Sequence, residues 1–260
     1  MVARIPAHRK RVNPAQRDTF ICMSEPLVIL GPGRLGRSAS AILRSAGKPH
    51  RLIGRGETIP ESRLTWLTVP DREIQNAALA VPAGGIILHA SGASDVSLLR
   101  PHKPAGSLHP LMTFPGPEIA LPDESVIPAA ISGDDVAVEA AKELATDLGF
   151  TPFEVPGSRA LYHAAAVTAG NFASTLIIHA AKMLTAAGVS AADAPHLLLP
   201  LATASLKNAA THGVSALTGP IARGDNTVID THEKALQELD PKTLELYQAL
   251  VSSTLELKRQ

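Results

Sequence analysis

The stretch Pro26-Leu27-Val28-Ile29-Leu30-Gly31-Pro32-Gly33-Arg34-Leu35-Gly36 decides how the chain is read. An apolar run of strand character ends at Gly31, and three glycines follow in the spacing G-x-G-x-x-G. A helical pattern opens behind them, with Leu35, Ala39, Ile42 and Leu43 on one face and Gly47 at its C-terminal end. Three glycines at this spacing are a weak signal alone, but between a strand and a helix they are specific. Gly31 permits the tight turn, Gly33 lets the backbone approach a pyrophosphate, and Gly36 lets the helix sit against the sheet. The phosphates would rest on the free N–H groups and positive dipole of the helix start, at Arg34 and Leu35. The competing reading is an ordinary strand-to-helix turn that holds no ligand.

Outward from this turn, strands and helices alternate. Residues 50–54 and 64–69 read as strands, 71–80 as a polar helix capped by Asp71, and 85–90 as a buried strand. Such alternation predicts βαβ units and a parallel sheet. Residues 107–128 are dense in Pro and Gly and predict a loop. A strand over 125–132, a helix over 134–148 and a short strand over 150–155 follow. The character changes at Pro156. The Ala- and Leu-rich segments 160–187 and 191–210 carry no strand signal, and helices are expected over 226–240 and 241–258. The expected organisation is a disordered leader over 1–24, a Rossmann-type domain over 25–156, and an all-helical domain over 157–260.

Composition agrees with this outline. Of 260 residues, 45% are apolar and only 3% aromatic, so aliphatic side chains must form the core. That suits parallel sheets covered by closely packed helices. Basic and acidic residues balance at 24 each, which argues against nucleic acid or an anionic membrane as the main partner. Cys22 is the single cysteine, so no internal disulfide can form, and a cytoplasmic, reducing setting fits. No apolar run in the sequence approaches the roughly 18 residues of a membrane span. Residues 1–16 are rich in Arg, Lys and Pro without an acid, and Met23 would serve as an alternative start. The histidines form no recognisable ligand pair with Cys or acids, so no metal site is expected, and the nucleophile-elbow pattern G-x-S-x-G is missing.

The end of the second strand speaks to the cofactor. Domains that bind NAD place Asp or Glu about 20 residues past the glycines, to accept from the ribose hydroxyls. Here the stretch is Ile53-Gly54-Arg55-Gly56, without an acid at the strand end. Arg55 is suited instead to a 2′-phosphate, so NADP is expected over NAD. The alternative is a solvent-exposed turn arginine.

Several further motifs occur as a set. They are the glycine-rich turn, Ile87-Leu88-His89-Ala90-Ser91-Gly92-Ala93, Gly106-Ser107-Leu108-His109-Pro110-Leu111-Met112-Thr113-Phe114, Tyr162-His163-Ala164-Ala165-Ala166 with Asn171, and Leu217-Thr218-Gly219-Pro220-Ile221-Ala222-Arg223-Gly224-Asp225. Together they resemble a Rossmann-like family with a C-terminal helical domain of unknown function. That family is similar to pyrroline-5-carboxylate reductase, prephenate dehydrogenase and ketopantoate reductase. The resemblance spans nearly everything after Ser24. It implies a 6-phosphogluconate-dehydrogenase-like architecture whose all-helical second domain commonly dimerises.

The resemblance also implies site residues. Val69 and Pro70 would wall the path from adenine to nicotinamide. Ser91 would bond the nicotinamide or substrate, unless it is a plain strand-end serine. His109-Pro110 resembles the His-Pro step of prephenate dehydrogenases, where a histidine holds a carboxylate or moves a proton; the alternative is a histidine that braces the loop. His163 and Asn171, eight apart on one expected helix, would share a face and meet the substrate, with Tyr162 assisting. Ketopantoate reductases carry a Lys four residues before this Asn, and here that position is Val167. Thr218 lies in the expected substrate loop, and Arg223 would hold a carboxylate in a bidentate fork, or else pair with Asp225 or Glu233. Val228 stands where that group has an acid. The implied activity is an NADPH-dependent reductase of a small oxo acid, acting as a homodimer. An imino-acid or prephenate-like oxidoreductase and a non-catalytic NADP(H)-binding protein are the alternatives.

Overall fold

The structure is a computed structural model that describes residues 25–119 and 126–259. The expected leader 1–24, with Cys22 and Met23, lies outside the described residues. Two compact units meet between Ala166 and Val167.

The first unit is built on a seven-stranded sheet in the order β2-β1-β3-β4-β5-β6-β7. Its strands are β1 (Glu25–Leu30), β2 (Arg51–Ile53), β3 (Ser62–Leu67), β4 (Ile86–His89), β5 (Ala105–Pro110), β6 (Ile127–Gly133) and β7 (Phe150–Glu154). Strands β1 to β5 run parallel, β6 lies antiparallel to β5, and β7 is parallel to β6. This is the expected Rossmann-type sheet.

Alternate residues of β1 serve opposite faces, as strand geometry requires. Leu27 and Ile29 pack with Leu43 of α1 (Arg34–Ser45) and with Ala141 and Leu144 of α3 (Asp135–Asp147). Val28 and Leu30 pack on the other face with Ile74 and Ala78 of α2 (Ile74–Ala80). Both faces are therefore covered, which explains why these strands read as continuous apolar runs. Asp134 caps α3 by accepting from Ala137 N at 3.0 Å.

Two local expectations are corrected. Residues 107–110 were expected in a loop but belong to β5. Gly106 marks the strand by its crowding: an added Cβ would lie 2.6 Å from Ser132 O and 3.1 Å from Leu88 Cδ2. Asp71 does not cap α2. It opens a short 3₁₀ turn, Asp71–Glu73, and its carboxylate accepts from Ser91 instead.

The second unit is helical. The run Arg159–Ala186 leads into it as α4 (Arg159–Val167), a π-helical turn (Thr168–Phe172) and α5 (Ala173–Ala186). Then come α6 (Ala194–His212), α7 (Gly219–Arg223), α8 (Asn226–Leu239) and α9 (Pro241–Arg259). His179 Nδ1 lies 3.2 Å from Thr243 Oγ1, tying α5 to α9, and His232 Nδ1 lies 2.8 Å from the Tyr247 hydroxyl, tying α8 to α9. Contrary to the reading of the apolar runs, Arg159–Ala186 is long and apolar enough, by length and composition, to cross a membrane. Its first turn is engaged with the sheet through Arg159 and Tyr162.

Candidate active site

The carboxyl ends of β1, β3, β4 and β5 lie along one edge of the sheet, where open α/β folds bind ligands. At the first of these ends Gly31 takes φ 120, a conformation that favours glycine, and donates its N–H to Ile53 O at 3.0 Å. A Cβ on Gly36 would lie 2.0 Å from Gly31 O and 2.7 Å from Thr68 Oγ1. Thr68 in turn donates its hydroxyl to Gly31 O at 2.8 Å. The turn is thus closed by the absence of side chains. Gly33 heads α1 without a side-chain cap, and no acid stands in the first turn. The N–H groups around Arg34 and Leu35 therefore meet no side-chain acceptor among the described residues, and the residues fit a pyrophosphate.

A chain of contacts leads from this turn across the edge. A Cβ on Gly31 would lie 3.0 Å from Val69 Cγ1, so Val69 borders the turn, and Pro70 beside it is exposed. Next, Asp71 Oδ2 accepts from the Ser91 hydroxyl at 2.7 Å. Ser91 Oγ also accepts from Ala93 N at 3.2 Å and Ser94 N at 2.9 Å. Its hydroxyl is therefore committed to shaping the turn after β4.

Behind Ser91, His89 is wholly buried and its Nδ1 accepts from Ser91 N at 3.2 Å, which leaves the proton on Nε2. That N–H has no partner among the described residues. Burial, and then the Arg159 charge, hold the His89 pKa down at about 4.

The end of the chain of contacts is an aromatic cluster. His109 Nδ1 lies 2.6 Å from the Tyr162 hydroxyl, and His163 meets His109 edge-on at 6.2 Å between ring centroids. Gly92 is clasped by both imidazoles: an added Cβ would lie 2.7 Å from His163 Cδ2 and 2.9 Å from His109 Cε1. Burial, then the neighbouring His163 and Arg159, lower the His109 pKa to about 4, so its ring is neutral at pH 7. Burial raises that of Tyr162, so the phenol keeps its proton. Arg159 locks the cluster to the sheet by donating to Ser91 O at 2.7 Å and Ser132 Oγ at 3.1 Å. Its Nε is buried without a partner among the described residues.

The structure thus brings His109, Tyr162 and His163 together beside the Ser91–Gly92 turn, in one unit with Gly31, Gly33 and Gly36. Arg55 is exposed in the turn after β2. The remaining candidates belong to the helical unit. Asn171 is exposed inside the π-helical turn. Thr218 stands at the start of α7 without a capping bond. Arg223 ends α7 before Gly224, is exposed, and makes no ion pair among the described residues; Asp225 instead caps α8 by accepting from Val228 N at 3.3 Å.

Sequence reasoning missed three residues. Arg159 lay just past the expected domain boundary and read as the start of a helix. His89 read as one more member of a buried strand. Glu57 lies beyond the end of β2, but its carboxylate folds back to accept from Gly54 N at 2.8 Å, so an acid does stand at this strand end. Its spacing from Gly36 carried the signal.

Residues 127–254 match the family described as a domain of unknown function, DUF2520. No curated protein matches the chain in sequence. Among solved structures, the chain is similar to a Bacteroides fragilis protein provisionally named an NADP oxidoreductase, with TM-score 0.73 and 21% identity, covering 89% of this chain and 98% of that one. It is also similar to a reductive aminase from Aspergillus terreus in complex with NADPH and ethyl levulinate, with TM-score 0.66 and 18% identity, covering 89% and 94%. A third is 1-pyrroline-5-carboxylate reductase from Streptococcus pyogenes, with TM-score 0.56 and 16% identity, covering 91% and 99%. The chain has a Rossmann-type fold with a helical C-terminal part, and its residues 127–254 are similar to the DUF2520 family.

Proposed function

We propose that the protein is an NADPH-dependent oxidoreductase that reduces a small oxo acid. The observation that carries this reading is that the Gly31–Gly36 turn, the Asp71–Ser91 hydrogen bond and the His109, Tyr162 and His163 cluster around Gly92 stand at the carboxyl ends of the parallel strands in one unit. The glycine cradle would hold the pyrophosphate, with Arg34 and Leu35 at the helix start, Val69 and Pro70 along its path, and Arg55 at the 2′-phosphate. Bound NADPH supplies the hydride for the substrate carbonyl. The developing alkoxide needs a proton, and the Tyr162–His109 pair can deliver one without a cationic acid. If His109 donates its Nδ1–H to the phenol oxygen, the phenol proton is free for the substrate, and that hydrogen bond steadies the phenolate left behind until solvent returns a proton. His163 is the second donor facing the same turn. Asn171 and Thr218 would orient the substrate and Arg223 would bind its carboxylate.

We assign substrate binding and a two-fold dimer to the helical segment after Pro156. Leu197, Leu199 and Leu201 of α6 and Ile178 of α5 are each more than half exposed, beyond what surface helices ordinarily leave open. With Cys22 the single thiol, a cytoplasmic setting fits this enzyme.

A second reading, reduction of an imino acid, gains support from the similarity to a reductive aminase and to 1-pyrroline-5-carboxylate reductase. The chemistry separates the two: an alkoxide must be protonated, whereas hydride addition to an iminium ion leaves a neutral amine. A panel of oxo acids and cyclic imino acids, followed by the disappearance of NADPH, tests the proposal. Turnover of an oxo acid that collapses in Tyr162→Phe supports the first reading. Imine turnover that survives the same change supports the second, and no turnover of either class contradicts both.

A further inference from the structure

We infer that Glu57 is a specificity-determining residue of the dinucleotide site, an acid that competes with the 2′-phosphate and so restrains the preference for NADPH. The inference rests on the dinucleotide-binding reading above. Its starting point is the turn after β2. Gly54 donates its N–H to Glu57 Oε1 at 2.8 Å, and Glu57 N approaches Gly54 O at 3.4 Å, so side chain and backbone close the turn from both sides. The last residue of β2, Ile53, also accepts from Gly31 N. The carboxylate-bearing turn and the phosphate-binding turn are therefore anchored on the same strand end.

Gly54 supplies an independent observation. Its φ is not among the left-handed ones, so backbone conformation does not demand a glycine there. Space does. An added Cβ would lie 2.8 Å from Glu57 Oε1 and 3.7 Å from Pro32 Cγ, the side chain between the first two glycines of the turn. The missing side chain at Gly54 makes room for the Glu57 carboxylate beside Pro32.

An acid at this strand end is the group that accepts from a ribose 2′-hydroxyl. With NADH, Glu57 can keep its place and take that hydrogen bond. With NADPH the 2′-phosphate brings a second anion to the same spot, and the carboxylate must leave Gly54 N or suffer the repulsion. Arg55, two residues earlier and exposed, attracts the phosphate. The two residues thus oppose each other within one turn.

Equilibrium binding of NADPH and of NADH to the full chain tests this directly, in the wild type and in Glu57→Gln and Gly54→Ala. Glu57→Gln is expected to raise the ratio of NADPH to NADH affinity about five- to tenfold at low salt, with the gain shrinking as salt screens the charge. Gly54→Ala keeps the charge but dislodges it, because its Cβ meets only the flexible end of Glu57; the ratio is expected to rise here too. Wild-type protein that binds both nucleotides, with a ratio unmoved by Glu57→Gln, overturns the assignment of Glu57 alone. Wild-type protein that binds neither overturns the dinucleotide reading and this inference with it.

Discussion

The Tyr162 hydroxyl lies 2.6 Å from His109 Nδ1, joining a phenol on α4 to an imidazole at the end of β5. Neither group is charged at neutral pH, because burial lowers the His109 pKa to about 4 and raises that of Tyr162. In the proposed reductase the two act as one proton-carrying unit. Tyr162→Phe and His109→Ala should each lower kcat for an oxo acid by about 10²–10⁴-fold, and the double variant should lose little more than the worse single one. Losses that multiply in the double variant would show two independent roles. NADPH affinity should stay nearly constant in all three.

His163 faces the same turn but is not hydrogen-bonded to His109; the rings meet edge-on. As a proton donor, its replacement in His163→Ala should cost kcat about 10²–10⁴-fold with cofactor binding barely changed. A loss confined to KM would instead make it a substrate-binding group.

Gly92 is where small size is indispensable. A methyl group there would lie within 3.0 Å of both His163 and His109, so Gly92→Ala must push one ring aside. The expected cost is about 1–3 kcal/mol in stability, typical of overpacking, together with lost turnover. Denaturant titration measures the first. A variant as stable and active as the wild type would show that the rings are not held against this turn.

Acid should destabilise the protein through its buried histidines. His89 is wholly buried with its pKa lowered from 6.5 to about 4, chiefly by burial and then by Arg159, with Asp71 and Asp95 opposing and His109 reinforcing. Above pH 6.5 the ring is neutral whether the chain is folded or unfolded, and contributes no pH dependence. Between 6.5 and 4 the unfolded chain binds a proton that the folded one refuses, so stability falls with falling pH. For His89 alone the full loss is on the order of 3 kcal/mol, and His109 acts in the same direction. His89→Phe should flatten part of this slope in unfolding measured from pH 7 to pH 4. An unchanged slope would mean that His89 is protonated without penalty.

How much of this was legible in the sequence follows from how local each signal is. The Gly31–Gly36 turn, β1 and α1 announce themselves because short-range geometry demands those residues in that order. Strand β5 did not, since the Pro- and Gly-dense stretch 107–128 read as a loop when only neighbours in sequence are considered. What makes 105–110 a strand is its pairing with β4 and β6. Glu57 escaped notice because the acid reaches the strand end by folding back across a turn. His109, Tyr162 and His163 were singled out through the resemblance to known families. The 2.6 Å contact between two of them joins residues 53 apart in sequence, which no spacing rule foretells. Around Asn171 the sequence predicted an uninterrupted α-helix, and the structure has a π-helical turn there.

Hydride transfer itself can be observed. The protein is incubated with NADPH carrying deuterium at the transferring position and with the oxo acids of the panel, and each hydroxy acid formed is weighed by mass spectrometry. The expected result is a hydroxy acid that gains the deuterium, formed by the wild type and nearly lost in Tyr162→Phe. A hydroxy acid without the label, or none formed from any oxo acid while NADPH binds, would contradict the proposed reductase.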